Sequence, residues 1–469
     1  VIVHQAYRFA LDPTPAQARA LSTHCGAARF AFNWGLALVK AVMDQREAEK
    51  SYGIAPADLT PPLRWSLPAL RKVWNQVKDD VAPWWAECSK ESYSSGLDSL
   101  ARALNNWTTS RDGKRKGRAV RFPRFRSKRR ARRSCRFTTG GVRVEADRRH
   151  INLPKLGRIR THESTRKLAR RLEAGTARVL SATVRLEGGR WHCSFTCEVQ
   201  RADPPPAQPD VVIGVDLGIT HLAVLSRPLS GVTNAVGAVP NPKHFARASA
   251  ALRRKSRAVS RKHGPDSRTG ARPSKRWERA DQRRNRIHHR VANLRRDGLH
   301  KLTTALAAGF GTIVIENLNV AGMLSNRRLA RSIADAGFAE IRRQLAYKTR
   351  WRGSRLVVAD RWFPSSRTCS DCGAAKAKLP LHIRVFRCDS CGLEIDRDLN
   401  AARNLAALAV SSTTGTGGTG DLEPPCSNGR GADRKTRALC GQAAVKRPDR
   451  SADLPVGCPA GASRIRSCR

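Results

Sequence analysis

Two short runs, Cys369-Ser-Asp-Cys372-Gly and Cys388-Asp-Ser-Cys391-Gly, stand fifteen residues apart in the spacing C-x2-C-x15-C-x2-C. Each pair brackets a tight turn completed by Gly373 or Gly392. Four thiolates suit a closed tetrahedral Zn²⁺ site, structural rather than catalytic because no coordination position stays open. Cys25, Cys88, Cys135, Cys193, Cys197 and four cysteines near the C-terminus share no framework. The odd total of 13 argues for reduced thiols instead of a disulfide scaffold. Cys193 and Cys197, in the alternating segment WHCSFTCEV, read as ordinary semi-buried strand positions.

A second set of residues points to different chemistry. In VVIGVDLG an apolar run ends in Asp216, and in TIVIEN another ends in Glu316. Each puts a carboxylate at the end of a buried strand; taken singly, each reads equally well as a turn residue or a solvated strand end. The third member lies in IDRDLNAARNLAAL, where Asp396 is placed to cap a helix and Asp398 falls in its first turn. Leu399, Ala402 and Ala406 would form the inward stripe of that helix. Converging carboxylates are hard oxygen ligands for Mg²⁺ or Mn²⁺. Two such ions ~4 Å apart can activate water and stabilise the leaving oxygen of a phosphodiester. No Ser/His/Asp or Cys/His arrangement competes, and none of Tyr7, Tyr52, Tyr93 and Tyr347 lies near a paired-His motif. Transposition through a tyrosine nucleophile is therefore unsupported.

The elements that must position these groups follow from periodicity and turn signals. VIVHQAYRFA predicts a strand, followed by a helix entered at Thr14-Pro15. A Pro-containing connection at 55–68 leads to a second helical stretch over about 83–107. The aromatic residues of this region (Trp65, Trp74, Trp84, Trp85, Tyr93, Trp107) suit a small helical core better than base stacking. Residues 137–200 are strand-rich, with a hairpin at Glu187-Gly188-Gly189. After the Pro-rich linker 201–210 come strands at VVIGVDLG, THLAVLS and near VTNAVGAV. Helices over 244–309, the strand GTIVIENLNV, a helix near 333–350 and the strand RLVVAD complete an α/β pattern. From 411 onward no Phe, Tyr or Trp occurs, so the tail 411–469 is expected to be disordered.

Length and charge bound the rest. At 469 residues the chain is about three times a ~150-residue domain, so two to four domains are expected. Lys plus Arg number 88 against 38 Asp plus Glu, a net charge of +50, which calls for a polyanionic partner. Residues 111–136 carry fourteen basic residues against one acidic, with Phe122 and Phe125 interleaved. The span Arg247–Lys301 carries nineteen against four. No apolar run reaches ~18 residues and the opening lacks a signal-peptide pattern, so a soluble, cytoplasmic, nucleoid-associated protein with no membrane partner is expected.

In order along the chain, GVDLGITHLAVLS, RRDGLHKLTT, VIENLNVAGM and FPSSRTCSDCG…CDSCG…DRDLNAARNL resemble the TnpB (OrfB) family of insertion-sequence proteins, related to type V CRISPR effectors. YRFALDPTPAQ…CGAARFAFNWGL, RFPRFRSK and LPKLGRIR fit the same pattern, over residues 5–408. The resemblance implies a multidomain α/β protein with a RuvC-like, RNase-H-fold nuclease domain (211–365 and 392–410) and a zinc ribbon (366–391). It also implies a β-barrel-like wedge domain (1–10 and 111–200) with a helical recognition insert (11–110). The implied activity is RNA-guided cleavage of double-stranded target DNA next to a short adjacent motif, by two-metal hydrolysis. The guide RNA would come from the element end, and the helix around 89–107 would read the motif. Carried over, Asp216, Glu316 and Asp398 bind two Mg²⁺ or Mn²⁺ ions and Cys369, Cys372, Cys388 and Cys391 bind one Zn²⁺. Asp398 is preferred to Asp396 because it precedes Leu-Asn-Ala-Ala. A monomer is favoured. The competing expectation is a non-catalytic, zinc-containing nucleic-acid-binding accessory of transposition, which leaves the three placed acids without a role.

Overall fold

The computed structural model describes residues 1–411 except 116, 129–130, 139–140, 267 and 381. The expected disorder of 411–469 concerns, beyond the last helical residue, positions outside the described residues. In chain order the first half contains β1 (Ile2–Asp12), α1 (Pro15–Ser51), α2 (Leu67–Val81), α3 (Lys90–Arg111), β2 (Ser134–Phe137), β3 (Arg143–Val144), β4 (His150–Leu153), β5 (Gly157–Thr161), α4 (Arg166–Glu173), β6 (Ala177–Glu187) and β7 (Arg190–Gln200). The second half contains β8 (Gln208–Asp216), β9 (His221–Leu225), β10 (Ala238–Pro240), α5 (His244–Ser260), α6 (Lys275–Gly309), β11 (Phe310–Ile315), α7 (Val320–Met323), α8 (Ala330–Ala336), α9 (Phe338–Arg352), β12 (Arg355–Val358), β13 (Val385–Arg387), β14 (Glu394–Asp396) and α10 (Arg397–Ser411).

The first half joins an antiparallel sheet to a helical unit. Its seven strands run in the order β2-β6-β7-β1-β5-β4-β3, so the N-terminal strand sits at the centre. β1 pairs with β7 from Ile2↔Gln200 to Ala10↔His192, and then with β5 at Leu11↔Thr161. Glycines at +58° and +80° in φ, Gly188 and Gly189, make the β6–β7 turn. Phe9, Leu11, Phe137, Ile151, Ile159, Val184 and Phe195 fill the core of this sheet. α1 opens with a capping box, in which Thr14 Oγ1 accepts from Gln17 N and Gln17 Oε1 accepts from Thr14 N.

Periodicity alone missed one helix and began the next too early, since the stretch expected from about 83 is α-helical only from Lys90. α2 begins at Leu67, inside the expected connection, capped by the Ser66 side chain. It stops before Pro83, whose ring forbids a continuous helix, and a 3-10 turn (Pro83–Glu87) precedes α3. Trp74 and Tyr93 lie in the interior of this unit, Trp65, Trp85 and Trp107 are half-buried against it, and Trp84 is exposed. Trp74 stacks on Tyr93 at 5.0 Å, and both are buried with Phe32, Leu36, Leu70 and Leu97.

The second half is an α/β sandwich around five strands ordered β10-β9-β8-β11-β12. β8, β9 and β10 are antiparallel neighbours, whereas β11 is parallel to both β8 and β12. The strand expected near 232–239 is limited to Ala238–Pro240, because the residues before it turn through Gly237 at φ +79°. One sheet face packs Ile213, Val215, Ile313 and Ile315 against Leu299, Leu302 and Leu306 of α6 and Ile341 and Leu345 of α9. The other packs Val314 against Leu405 and Ala409 of α10.

α10 approaches the sheet at backbone distance, and Gly214 is why it can. A Cβ at Gly214 would stand 1.9 Å from Ala402 O and 2.6 Å from Ala406 N, so no side chain fits. Gly214→Ala is expected to destabilise the fold by about 3 kcal/mol, because the obstacle is backbone that cannot rotate away. Gly26→Ala, in α1 with nothing within 4 Å of the new methyl, should instead gain about 0.5–1 kcal/mol from helix propensity. Thermal melts of both variants check the contrast; equal effects would contradict the close helix–strand approach.

Candidate active site

The centre is built where β8 and β11 end. Their parallel register pairs Val215 with Ile315, so the next residues on, Asp216 and Glu316, leave the sheet side by side. Strand alternation sets which way they face. Val215 and Ile315 look toward α6 and α9, whereas Gly214 and Val314 look toward α10. Asp216 and Glu316, two residues beyond Gly214 and Val314, therefore face α10.

α10 brings the third acid. Asp396 Oδ1 accepts from Asp398 N at 2.9 Å and Leu399 N at 3.0 Å, which is the work of an N-cap. Asp398 follows in the first turn with its side chain only 20% exposed, and Arg384 Nη1 stands 3.9 Å from its Oδ1. The two aspartates thus have separate positions: one closes the helix end, the other is held beside Asp216 and Glu316.

These carboxylates share an unfavourable field. Burial drives the Asp216 carboxyl well above the usual carboxylate range, and the nearby charges of Glu316 and Asp398 drive it further. Burial also raises Glu316, against which the Ser365 hydroxyl, donating to Glu316 Oε1 at 2.8 Å, favours the ionised form. Arg397 is the nearby cation that opposes both shifts. Its guanidinium is held at Pro380 O (3.2 Å), Ile383 O (3.5 Å) and Ser366 Oγ (3.4 Å). Half-buried carboxyls that resist being charged, as those of Asp216 and Glu316 do, are ones that a divalent cation would relieve.

The four cysteines come together in a separate lobe between β12 and α10. Cys369 Sγ is 3.6 Å from Cys391 Sγ, and Cys372 Sγ is 3.5 Å from Cys388 Sγ. All four sulfurs lie within 4.8 Å of one another, whereas the three carboxylates form no such close group. Tetrahedral zinc with Zn–S bonds of about 2.3 Å needs sulfurs roughly 3.8 Å apart, so the quartet fits that ion. Backbone N–H groups of Cys391 and Ser390 pull the Cys388 thiol down to about 6, whereas the Cys372 thiol is raised and that of Cys391 is pushed up to about 12, so the four sulfurs favour one thiolate among them while no cation is bound. By contrast, Cys193 is fully buried and its thiol is pushed above the ordinary range by desolvation, while burial lifts Cys197 to about 11. These two are inert core residues.

Hydrogen bonds join this lobe to the acid-bearing helix. Asn400 Nδ2 donates to Thr368 O at 2.7 Å, and its Oδ1 accepts from Ser370 N at 2.9 Å. Asn404 Nδ2 donates to Ser365 O and to Thr368 O, both at 2.7 Å. The sequence pattern put Leu399, Ala402 and Ala406 on the inward stripe. Of these Ala402 is fully buried and the other two are half-buried, while Asn400 and Asn404 take buried places. Hydrophobic periodicity has no means of finding an asparagine that faces inward.

The basic stretch 111–136 is in part anchored. Arg126 lies over the Phe32 ring at 3.5 Å, and its backbone is clasped by Asn33. Burial lowers its guanidinium to about 10. Phe122 packs edge-on to Trp107 at 4.9 Å, while Phe125 stays 55% exposed. No helix among the described residues is long and apolar enough to cross a membrane.

Comparison with known proteins gives these residues a family. Residues 194–327 match the OrfB_IS605 family, described as "Probable transposase", and residues 3–47 its helix-turn-helix domain. Residues 338–405 match the Cas12f1-like TNB domain. A "Putative RNA-guided DNA endonuclease" of Mycobacterium tuberculosis is 42% identical over 460 residues, covering 92% of this chain and 91% of that protein. The chain belongs to the TnpB (OrfB) family. InsQ of Escherichia coli K12, given the same description, is 30% identical across 86% of this chain and 92% of its own length. Among solved structures, the mini-RNA-guided endonuclease CRISPR-Cas_phi3 aligns over 87% of this chain and 92% of its own, at 10% identity and a TM-score of 0.44. In this TnpB chain the residues matching the helix-turn-helix domain form β1 and one unbroken helix, α1.

The field at the acids has a measurable consequence. A carboxyl raised in the folded state holds its proton there at pH values where the unfolded chain has released it. Metal-free stability therefore falls as pH rises above the ordinary carboxylate range. Asp216→Asn removes one of the repelling charges. In EDTA it should melt above wild type, by roughly 2–4 °C per kcal/mol relieved, with a gap that widens as pH rises. A variant that melts lower at every pH would contradict mutual repulsion.

Proposed function

We propose that this protein is an RNA-guided DNA endonuclease of an insertion element, cutting double-stranded target DNA beside a short adjacent motif through a RuvC-like centre. The convergence of Asp216, Glu316 and Asp398 at one sheet edge, from two strand ends and a helix start, carries this reading. A nucleic-acid-binding accessory would have no use for three acids held together in a chain of net charge +50. The relatives' description as RNA-guided DNA endonucleases supports the same activity.

In this reading residues 211–365 and 392–410 are the nuclease domain and 366–391 its zinc ribbon. Residues 1–10 and 111–200 form a wedge-like domain that, with the helical insert 11–110, holds the guide RNA and reads the adjacent motif. Basic side chains of 111–136 and of α6 hold the guide–target heteroduplex by its backbone, and base pairing supplies the sequence specificity. Asp216, Glu316 and Asp398 would hold magnesium or manganese, which would supply an activated water and charge stabilisation at the departing oxygen.

The chain's own residues do the positioning. Asp216 and Glu316 are fixed by the β8–β11 register, and Ser365 holds the Glu316 carboxylate in one orientation. Asp396 keeps the start of α10 closed, so that Asp398 stays in place. Cys369, Cys372, Cys388 and Cys391 would hold zinc, which would make the lobe rigid, and Asn400 and Asn404 tie that lobe to α10.

The test uses the protein purified with its bound RNA. That RNA, when sequenced, should have a defined end mapping to the flank of the encoding element. With a matching plasmid the complex should cut in Mg²⁺ and stop in EDTA, and Asp216→Ala should abolish cutting while RNA stays bound. Metal-independent cutting, or full activity in Asp216→Ala, would refute the carboxylate centre. Random cellular RNA in the complex would refute guidance.

A further inference from the structure

Between β12 and the cysteine lobe the chain forms an arch, Asp360–Ser365, with both feet on β11. At one foot Ala359 N donates to Ile315 O at 2.9 Å; at the other, Ser365 Oγ donates to Glu316 Oε1 at 2.8 Å. The arch is internally fixed. Trp362 N donates to Asp360 Oδ1 at 2.8 Å, and Phe363 N donates to Asp360 O at 3.2 Å. The Phe363 side chain packs with Val314, Leu405 and Ala409, so the arch lies on the sheet face that carries the three acids.

At its crest stands Trp362, 82% exposed. Among the described residues no ring or cation packs on this indole, unlike the tryptophans of the helical core. Three residues of chain span at most about 11 Å, so Trp362 lies within that reach of Ser365, which itself touches Glu316. Its neighbour Arg361 is also exposed. An open aromatic face beside a guanidinium, on a braced backbone, is the pairing that grips single-stranded nucleic acid: the ring takes a base and the cation a phosphate.

We propose that Trp362 stacks on an unpaired base of the DNA strand drawn into the carboxylate centre, and so sets which phosphodiester comes to rest on Asp216, Glu316 and Asp398. The inference rests on the nuclease reading above. Bases within a duplex have both faces covered by their neighbours. A guide that pairs with one DNA strand leaves the other unpaired, with faces free to accept an indole. Since both feet of the arch are bonded to the last residues of the catalytic strand, a base held there is held in register with the acids. Trp362 is thus a substrate-positioning residue, and its contribution lies in where the strand sits, not in the hydrolysis.

The experiment uses the RNA-loaded protein and compares Trp362→Ala with Trp362→Phe. Single-turnover cutting should fall roughly tenfold in Trp362→Ala and largely recover in Trp362→Phe. RNA retention, target unwinding by permanganate reactivity and melting temperature should be unchanged. An abasic nucleotide is then walked through the cut strand. At one position it should slow the wild type to the Trp362→Ala rate and slow Trp362→Ala no further, because the stacked base is already lost. Wild-type rates in Trp362→Ala, equal losses in the Ala and Phe variants, or additive losses at every abasic position would each overturn the stacking. No cutting by the unsubstituted protein would instead overturn the nuclease reading, so the two failures are distinct.

Discussion

Three carboxylates that repel one another, largely withdrawn from water, are held together by everything around them. Asp216 and Glu316 are neighbours because β8 and β11 are parallel and in register, a hydrogen-bonded arrangement that repulsion cannot undo without breaking the sheet. Asp398 joins them because α10 lies directly on β8, a distance set by the missing side chain of Gly214. The direction of the repulsion is recorded in Asp216, whose carboxyl is raised by burial and by both partners. A site so arranged stores an unfavourable charge that a bound cation relieves, which couples metal affinity to the fold.

The cysteine lobe belongs to the same constraint. It is small: among the described residues its buried cluster is Cys369, Phe386 and Cys388, with Ala374, Leu379, Leu393 and Ile395 partly buried against it, beside a two-stranded sheet, too little to fold on hydrophobic burial alone. Zinc would make good the deficit. The lobe then holds α10 through Asn400 and Asn404, and Ser365, just before the lobe, holds Glu316. The same segment carries Trp362.

The candidate acids and cysteines each carry a local signal in the sequence: an acid ending an apolar run, paired cysteines at ligand spacing, Asp396 at a helix start. Strand alternation also fixed the faces of Asp216 and Glu316 once the sheet was known. The supporting residues were not legible. Asn400 and Asn404 look like solvent positions in a sequence because their polar groups are satisfied by carbonyls of a segment more than thirty residues away. Gly214 looks like a weak strand residue until the helix it admits is in view. Trp65, Trp74, Tyr93 and Trp107 resemble Trp362 in composition, yet four are packed in or against the helical core and one stands in water. Only tertiary contacts separate them. The basic stretch was similarly mixed, with Arg126 committed to the interior.

That the three carboxylates act as one metal centre is tested most directly by manganese uptake. Free Mn²⁺ is followed by electron paramagnetic resonance as it is titrated into zinc-loaded protein. Wild type should take up the ion, and Asp216→Asn, Glu316→Gln and Asp398→Asn should each weaken uptake at least tenfold. Asp396→Asn, which keeps a capping side chain, should bind like wild type. Uptake unchanged by the first three substitutions, or lost equally in Asp396→Asn, would contradict the assignment.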